Sequence, residues 1–381
     1  MRTSTLLVAA RRVAPYLLCA IGLLVLVAGA VAFIGSPGYG YDYSAYDAAA
    51  RRIASSQSLY LPGTAEAYNA GRYGGLYLYA PPAAVLLVPL TLLSPEGATL
   101  AWFLGRIVVL VLACLALPVR REVRAAVLGV AGLSMPVLFD LNLGNLSIVI
   151  FALSVVAWRS RGRWPASVAV GALLLVRYTS VTVLLSWVLR RRLRDVGVAV
   201  AATLVISAAT VPIVGLGTWA EYVTVLRSLG NITTGEHNVA LGTIAASLGL
   251  PTAISTLANL SGVILGLGAV ALSALRSDED VGDVVALTAP LIVAPFFHPH
   301  YLVILLLPAA LLAARGRWWG LALPLLAWLP DSFLPLVAMA GVVAPLFAGK
   351  RAGASGVDQP AATASRTGRP AGRRTAATPT S

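Results

Sequence analysis

Residues 16–34 read YLLCAIGLLVLVAGAVAFI, an unbroken apolar run without a charged side chain. A helix of about 20 apolar residues is long enough to cross the hydrocarbon core of a bilayer. Arg2, Arg11 and Arg12 precede the run, as in a signal peptide, but it is longer than a typical signal core and no clear cleavage motif follows it. We therefore expect a retained first membrane span, preceded by a short cytoplasmic segment at residues 1–15.

The rest of the chain also has the composition of a membrane protein. Hydrophobic residues make up 58% of the sequence and charged residues 11%, whereas soluble domains contain about 25% charged residues. Cys19 and Cys114 lie in apolar runs, which argues against a disulfide framework. Arginine is abundant and lysine nearly absent, a bias that suggests a bacterial genome of high GC content. We expect a multi-pass protein of a bacterial plasma membrane.

The formal net charge of +13 is distributed in a way that predicts topology rather than nucleic-acid binding. The arginines form short clusters between apolar runs, at residues 120–124, 159–163, 190–194 and 315–317. Such clusters mark cytoplasmic loops, and the arginines after residue 350 would contact anionic lipid head groups. The excess positive charge therefore needs no nucleic-acid partner, and membrane lipids are its expected neighbours.

The apolar runs predict an all-α polytopic bundle of about twelve transmembrane helices with both termini in the cytoplasm. A break at Arg177 divides the run over 164–189 into two short helices, which returns the next arginine cluster to the cytoplasm. Prolines at 81, 82 and 89 predict a half-helix over 83–93. The other candidate spans are 16–34, 98–118, 124–141, 145–158, 196–216, 253–275, 284–297, 300–314, 318–329 and 333–348. This threading leaves 22 of the 28 Lys and Arg residues inside, five outside and Arg106 within a span.

Two polar segments are expected on the outer face of the membrane. The first is an amphipathic loop over 35–82 that would carry the chemistry, and the second covers 217–252. The three histidines fall on the same outer face. The transmembrane domain is expected over 16–348. Residues 349–381 hold too few large apolar side chains to fold, which predicts a disordered, arginine-rich cytoplasmic tail.

The first external loop is rich in tyrosine, since nine of the 13 tyrosines lie between Tyr39 and Tyr79. Tyrosine rings offer flat apolar faces with one polar end, and they settle at membrane interfaces. Within this loop, Asp42 is either the N-cap of a short surface helix or a catalytic base, and its spacing leaves both alternatives open. Asp47 lies four residues before Arg51, which favours an ion pair on one helix face.

Other polar residues interrupt apolar sequence. Arg177 is either a snorkelling side chain or a functional cation, and its predicted external position favours function. His298 and His300 have no carboxylate or cysteine nearby in sequence, so a metal site is weakly supported. They would serve as interfacial anchors or as contacts to a phosphate or a sugar hydroxyl. Asn145 lies in a tight turn between two spans, and His237 lies in a polar loop.

Taken in chain order, several short motifs resemble those of glycosyltransferase family 87. They are Asp42 through Ser58-Leu59-Tyr60, Tyr79-Ala80-Pro81-Pro82, Gly144-Asn145, Arg177-Tyr178-Thr179-Ser180, Ala294-Pro295 and His300-Tyr301. The resemblance covers roughly residues 16–348. Four positions depart from the family pattern: Asn145 replaces Gln, Arg177 replaces Lys, and Phe297-His298 stands where Ser-Trp is common. Arginine keeps the positive charge of lysine and adds a fork suited to phosphate.

The resemblance implies a GT-C-like bundle and a hexosyltransferase of the mannosyltransferase type, which moves a mannosyl residue from polyprenyl-phosphate-mannose. Its acceptor would be a lipid-anchored glycan of the phosphatidylinositol mannoside or lipoglycan type. The implied transfer inverts the anomeric carbon, with Asp42 as catalytic base and with Arg177 and His300 on the donor phosphate. No metal or other cofactor is implied. The implied substrate contacts are Tyr46, Tyr79, Asn145, His237 and His298.

Two alternatives to a mannosyltransferase remain open. The same architecture would suit an arabinofuranosyltransferase that uses polyprenyl-phosphate arabinose. A non-enzymatic flippase or transporter of lipid-linked sugars would instead need ionisable residues along a route through the bilayer. The predicted spans contain few such residues, chiefly Arg106, and the polar groups gather at one surface. This distribution favours the enzyme.

Overall fold

The computed structural model describes residues 2–69, 75–229 and 238–349, and no strand occurs in these ranges. The all-α prediction is therefore confirmed, while the predicted tail lies outside the described residues from 350 onward. The α-helices are α1 (Arg2–Phe33), α2 (Tyr41–Ala54), α3 (Thr64–Asn69), α4 (Pro81–Leu87), α5 (Pro95–Ala116), α6 (Arg121–Leu133), α7 (Met135–Leu143), α8 (Ser147–Arg159), α9 (Trp164–Val176), α10 (Val181–Leu189), α11 (Leu193–Leu229), α12 (Leu241–Ser247), α13 (Thr252–Arg276), α14 (Glu279–Thr288), α15 (Pro290–Val293), α16 (Leu306–Ala314) and α17 (Leu334–Val343). Short 3-10 helices cover Val88–Leu92, Tyr178–Ser180, Pro299–Leu305, Trp318–Ala322, Leu325–Trp328, Asp331–Phe333 and Ala344–Phe347.

Four helices in the described ranges are long and apolar enough to cross a membrane, and a bent pair gives a fifth candidate. The four are Arg12–Phe33, Pro95–Ala116, Leu193–Arg227 and Thr252–Arg276, and the pair is α6 with α7, bent by 61°. The other apolar helices have 10–17 residues, which corresponds to about 15–25 Å of α-helix against about 30 Å of hydrocarbon. The prediction of about twelve crossings depends on these shorter helices and stays a prediction.

The predicted break at Arg177 is confirmed, because α9 ends at Val176 and α10 begins at Val181. Arg161, just before α9, and Arg192, just after α10, both contact the carboxylate of Asp283, at 3.6 and 3.7 Å. The two short helices therefore return to the side on which they start. The predicted half-helix is also present, as α4 followed by a 3-10 turn.

The prediction of a loop from residue 217 is wrong at its start, because 217–229 continue α11 as a helix. Non-helical dihedral angles at Gly215 (φ 80°, ψ 160°) put a kink in the helix before this part. Beyond the kink, Tyr222 stacks on Tyr60 with ring centroids 6.4 Å apart, and Glu221 accepts a hydrogen bond from Ser58 at 3.3 Å. The end of α11 thus covers the tyrosine-rich loop, which supplies the apolar partner that keeps this segment helical.

Gly144 joins α7 to α8 in a left-handed conformation, with φ 86°. A Cβ at this position would lie 2.6 Å from Cβ of Tyr43 on α2. We expect Gly144→Ala to destabilise the fold by about 2–5 kcal/mol, combining backbone strain of about 1–2 kcal/mol with over-packing of about 1–3 kcal/mol. Thermal unfolding of the purified protein measures this loss. Gly162→Ala is the matched control, because Gly162 has φ 72° but open space around its Cβ. Equal losses in both variants would contradict the close approach of α2.

Candidate active site

A cavity of about 530 Å³ lies between the first loop and the ends of several helices. Its walls come from the start of α2, residues 75–79, the α7–α8 turn, the α9–α10 break, the end of α11 and residues 294–301. Seven of the eight predicted site residues line this cavity: Asp42, Tyr46, Tyr79, Asn145, Arg177, His298 and His300. The eighth, His237, lies outside the described residues. The fold thus brings together side chains from segments that are up to about 260 residues apart in sequence.

Asp42 lies in the first turn of α2, where its carboxylate faces the cavity. The N-cap position belongs to Gly40, in a left-handed conformation, and no side chain caps this helix. The backbone N–H of Gly40 donates to the carbonyl of Asn142 at 2.7 Å, which fixes the start of α2 on the α7–α8 turn. The N-cap alternative for Asp42 is therefore wrong. Its Oδ2 instead accepts a hydrogen bond from Nδ2 of Asn145 at 2.8 Å.

Burial raises the pKa of the Asp42 carboxyl group above the ordinary range of an aspartate. The hydrogen bond from Asn145 and the positive charge of Arg106 act in the opposite direction and lower this pKa. A carboxylate with a raised pKa is a stronger base than an ordinary aspartate. Asp42 therefore combines access to the cavity with the proton affinity that a general base needs.

Asp47 forms the predicted ion pair with Arg51, whose Nε lies 2.7 Å from Oδ2 of the carboxylate. The guanidinium group of Arg51 also donates to the backbone carbonyls of Thr91 and Leu93. Asp47 does not line the cavity. Its carboxylate serves to fasten α2 to the segment after α4.

Asn145 is held in one orientation by its neighbours in the α7–α8 turn. Its Oδ1 accepts hydrogen bonds from the backbone N–H of Leu146 at 2.6 Å and from Oγ of Ser147 at 3.3 Å. The amide nitrogen is thereby directed to Asp42. The carbonyl of the preceding Gly144 accepts from the indole N–H of Trp102 at 2.8 Å, which ties the turn to α5.

The tyrosines of the first loop divide into a lining group and a packing group. Tyr46 and Tyr79 line the cavity and meet edge to face, with centroids 5.4 Å apart. Tyr60 and Tyr77 pack behind them, and their hydroxyl groups donate to the carbonyls of Tyr79 and Ala80. The second pair therefore fixes the backbone that presents Tyr79. Among the described tyrosines of this loop, Tyr41 also lines the cavity, whereas Tyr39 and Tyr43, like Tyr60 and Tyr77, do not.

Arg177 lines the cavity together with two histidines, His298 and His300. The guanidinium group of Arg177 lies 4.3 Å from the ring centroid of Tyr301, and its Nη2 donates to the carbonyl of Pro290 at 3.2 Å. The rings of His298 and His300 are nearly parallel, with centroids 5.5 Å apart. Such a group of positive and hydrogen-bonding side chains suits a phosphate.

Further residues that have no predicted role belong to the cavity. The ring of Tyr301 lies against the guanidinium group of Arg177, and its position directly after His300 in the sequence is the signal that could have identified it. Tyr178, Tyr222 and Phe139 also line the cavity. Phe139 lies in an apolar helix and Tyr222 in a helix with surface character. Nothing in the sequence around either residue indicates a place in the cavity. Within the described residues, no group of three or more His, Cys, Asp or Glu side chains is arranged to hold a metal ion.

Three helices connect the cavity to arginine-rich turns. α8 begins next to Asn145 and ends at Arg159, α9 ends before Arg177, and α10 ends before Arg190. These helices have 9–13 residues, or about 14–20 Å of α-helix. The arginines after them gather around the acidic start of α14, in ion pairs that include Arg161–Asp280 and Arg192–Asp283. The cavity and the basic turns therefore lie at opposite ends of the same helices.

A family sequence model described as Glycosyltransferase family 87 matches residues 77–299, which is more than half of the chain. The match includes Tyr79, Asn145, Arg177 and His298. It begins after Asp42 and ends just before His300. No curated protein and no solved structure matches the chain significantly.

Proposed function

Because this chain belongs to glycosyltransferase family 87, we propose that it transfers a mannosyl residue from polyprenyl-phosphate-mannose to a glycan hydroxyl. Family membership makes it a membrane glycosyltransferase with a lipid-linked sugar donor and a glycan acceptor. The proposed acceptor is anchored to lipid, as in phosphatidylinositol mannosides or lipoglycans. The observation that supports the proposal best is Asp42, a half-buried carboxylate held by Asn145 in a cavity that also contains Arg177 and two histidines.

The proposed chemistry is an inverting displacement at the anomeric carbon. The acceptor hydroxyl oxygen attacks that carbon while Asp42 takes the hydroxyl proton. The bond from the anomeric carbon to the phosphate oxygen breaks on the opposite face, and both bonding electrons leave with the lipid phosphate. Arg177 and His300 stabilise the charge of this leaving group. In this proposal no metal or cofactor takes part.

The remaining predicted residues have roles in substrate binding. Tyr46, Tyr79 and His298 offer ring faces and polar groups to the sugar, and Asn145 shares its amide between Asp42 and the cavity. His237 is proposed as a further substrate contact from the sequence alone. A cavity of about 530 Å³ has the size of an ordinary small-molecule site. It suits the reacting sugar and phosphate, whereas the long lipid chain must extend beyond it.

We propose that the active site faces the outside of the plasma membrane. The cavity lies at the end of α8, α9 and α10 that is distant from the arginine-rich turns. Arginine-rich turns favour the cytoplasmic side, so the cavity is assigned to the external side. In this arrangement the shorter apolar helices complete about twelve crossings, some of them across a locally thinned bilayer. Both termini are then cytoplasmic.

The buried charges in the bundle favour an enzyme over a transporter. Arg106 and Asp140 pair with each other at 3.1 Å, and their side chains are 2% and 0% exposed. Neither residue lines the cavity. A transport route would need ionisable groups that face an aqueous path, whereas this pair is enclosed by protein.

The test of the proposed function is sugar transfer by the purified protein. The protein is offered radiolabelled polyprenyl-phosphate-mannose or polyprenyl-phosphate-arabinose together with a crude membrane-lipid acceptor. Transfer of mannose to a lipid-extractable glycan is the expected result. If only arabinose is transferred, arabinose replaces mannose as the proposed donor sugar. The acceptor is first shown to be active with a known enzyme. If neither donor then supports transfer, the proposal is overturned and a transporter of lipid-linked sugars becomes the better alternative.

The pH dependence of transfer provides a second test, because Asp42 must be deprotonated to act as a base. Activity is expected to fall as the pH drops through the pKa of Asp42, which burial raises above the usual aspartate range. Asn145→Ala removes a hydrogen bond that lowers this pKa, so the acidic limb of the kcat/KM profile is expected to move to higher pH. Asn142→Ala is the control, since its amide oxygen accepts from Ser36 instead. If the acidic limb of the kcat/KM profile does not move in Asn145→Ala, the assignment of Asp42 as the general base is contradicted.

A further inference from the structure

One ion pair is enclosed in the bundle next to the cavity without lining it. Nη1 of Arg106 on α5 lies 3.1 Å from Oδ2 of Asp140 on α7. Transfer of two charges from water into the protein interior is unfavourable, and such a pair is weak evidence for stability by itself. The contacts around the pair show what it organises.

Arg106 binds the carboxyl end of α7, where backbone carbonyl groups lack helical partners. Its Nη1 donates to the carbonyl of Asp140 at 2.6 Å, and its Nη2 donates to the carbonyl of Leu141 at 2.8 Å. Nη1 also reaches the carbonyl of Asn145 at 3.4 Å. A guanidinium group at a helix carboxyl end is favourably placed relative to the helix dipole. Arg106 therefore holds both ends of the turn that contains Asn145.

Asp140 binds the other side of the same turn. Its Oδ1 accepts from the backbone N–H of Ser147 at 3.1 Å, at the start of the 13-residue helix α8. A carboxylate at a helix amino end is favourable for the same electrostatic reason. The ion pair thus joins the end of α7 to the start of α8 with one charge of the correct sign at each terminus. Between these two fixed points lies Asn145, whose amide nitrogen donates to Asp42.

We infer that Arg106 and Asp140 are a positioning pair, which fixes the α7–α8 turn so that Asn145 orients the carboxylate of Asp42 for proton abstraction. This inference rests on the proposed function. Neither member of the pair lines the cavity, so both act through the turn. Trp102 extends the arrangement, because it donates to the carbonyl of Gly144 and stacks on Tyr43, the neighbour of Asp42, at 5.7 Å. One face of α5 therefore holds both the turn and the start of α2.

The experiment compares Asp140→Asn and Arg106→Lys with the wild-type protein. Asp140→Asn keeps a side-chain oxygen that can accept from the backbone N–H of Ser147 but removes the negative charge. Arg106→Lys keeps the positive charge but removes the planar guanidinium group that contacts two carbonyls at once. Both are expected to lower kcat by about 10- to 100-fold, the scale of a small misplacement of a catalytic group, and to leave the donor KM within about twofold. Asp195→Asn is the matched control, because Asp195 pairs with Arg192 at 2.7 Å and lies outside the cavity. It is expected to retain wild-type kcat.

A double-mutant cycle separates positioning from a general structural role. In an Asp42→Asn background, Asp140→Asn is expected to cause no further loss of transfer, because the base that it orients is already absent. A further loss of tenfold in that background would overturn the inference, as would wild-type kcat in Asp140→Asn.

If the single variants do not fold, Arg106→Met with Asp140→Leu removes both charges together and avoids an unpaired one. This paired variant is expected to fold with the same reduced kcat, and wild-type kcat would overturn the inference. Absence of transfer by the wild-type protein would instead contradict the proposed function.

Discussion

Asp42→Asn is expected to reduce sugar transfer by about 10²- to 10⁴-fold, the range that a general base contributes. Asparagine keeps the shape of the side chain and can still contact Asn145, but it cannot accept the proton of the acceptor hydroxyl. Donor binding should stay close to normal, because Arg177 and His300, the proposed contacts to the phosphate, are unchanged. The measurement is steady-state transfer with varied donor concentration, together with direct donor binding to the purified variant.

Asp47→Asn is the control for this prediction. Asp47 lies on the same helix as Asp42, but its carboxylate is engaged with Arg51 at 2.7 Å and does not line the cavity. Its loss should change transfer by less than about tenfold, through local stability alone. Equal losses in the two variants would contradict a specific role of Asp42 as the base, and wild-type turnover in Asp42→Asn would exclude that role.

The sequence predicted those features of the fold that depend on neighbouring residues. The ion pair of Asp47 with Arg51 follows from helical spacing, and the break at Arg177 follows from the need to return the next arginines to the cytoplasm. The helix beyond Gly215 was missed because its polar residues lower the local hydropathy. Trp219, Tyr222 and Leu226 recur there at i, i+3 and i+7, so the apolar face of a helix was present.

The internal geometry of the candidate site could not be predicted in the same way. Asp42 and Asn145 are 103 residues apart in sequence, and no local pattern links an aspartate in a loop to an asparagine in a distant turn. Arg106 is recognisable in the sequence as an intramembrane charge, but nothing local identifies Asp140 as its partner. The pairing depends on the 61° bend between α6 and α7, which turns the end of α7 toward α5. Pro136 at the start of α7 marks the break between the two helices, but the direction in which α7 then runs depends on tertiary packing.

The second large effect is expected at Arg177. Its guanidinium group is held by Tyr301, by the carbonyl of Pro290 and by a long contact of 3.4 Å from Nε to Oγ1 of Thr179. Nη1 makes no hydrogen bond to the described part of the chain, so it is available to a phosphate oxygen. Arg177→Met is expected to lower kcat by about 10²- to 10³-fold, the usual effect of removing one group that stabilises developing negative charge.

Arg177→Lys separates the charge of this group from its shape. Lysine restores the positive charge but offers no planar fork and no equivalent stacking on Tyr301, so we expect partial recovery of kcat and a raised donor KM. Arg227→Met is the control for a general loss of positive charge, because Arg227 is exposed and does not line the cavity. If Arg177→Met and Arg227→Met reduced transfer equally, the effect would be one of overall charge near the membrane surface. A loss confined to Arg177, with partial rescue by lysine, would place this cation on the leaving phosphate.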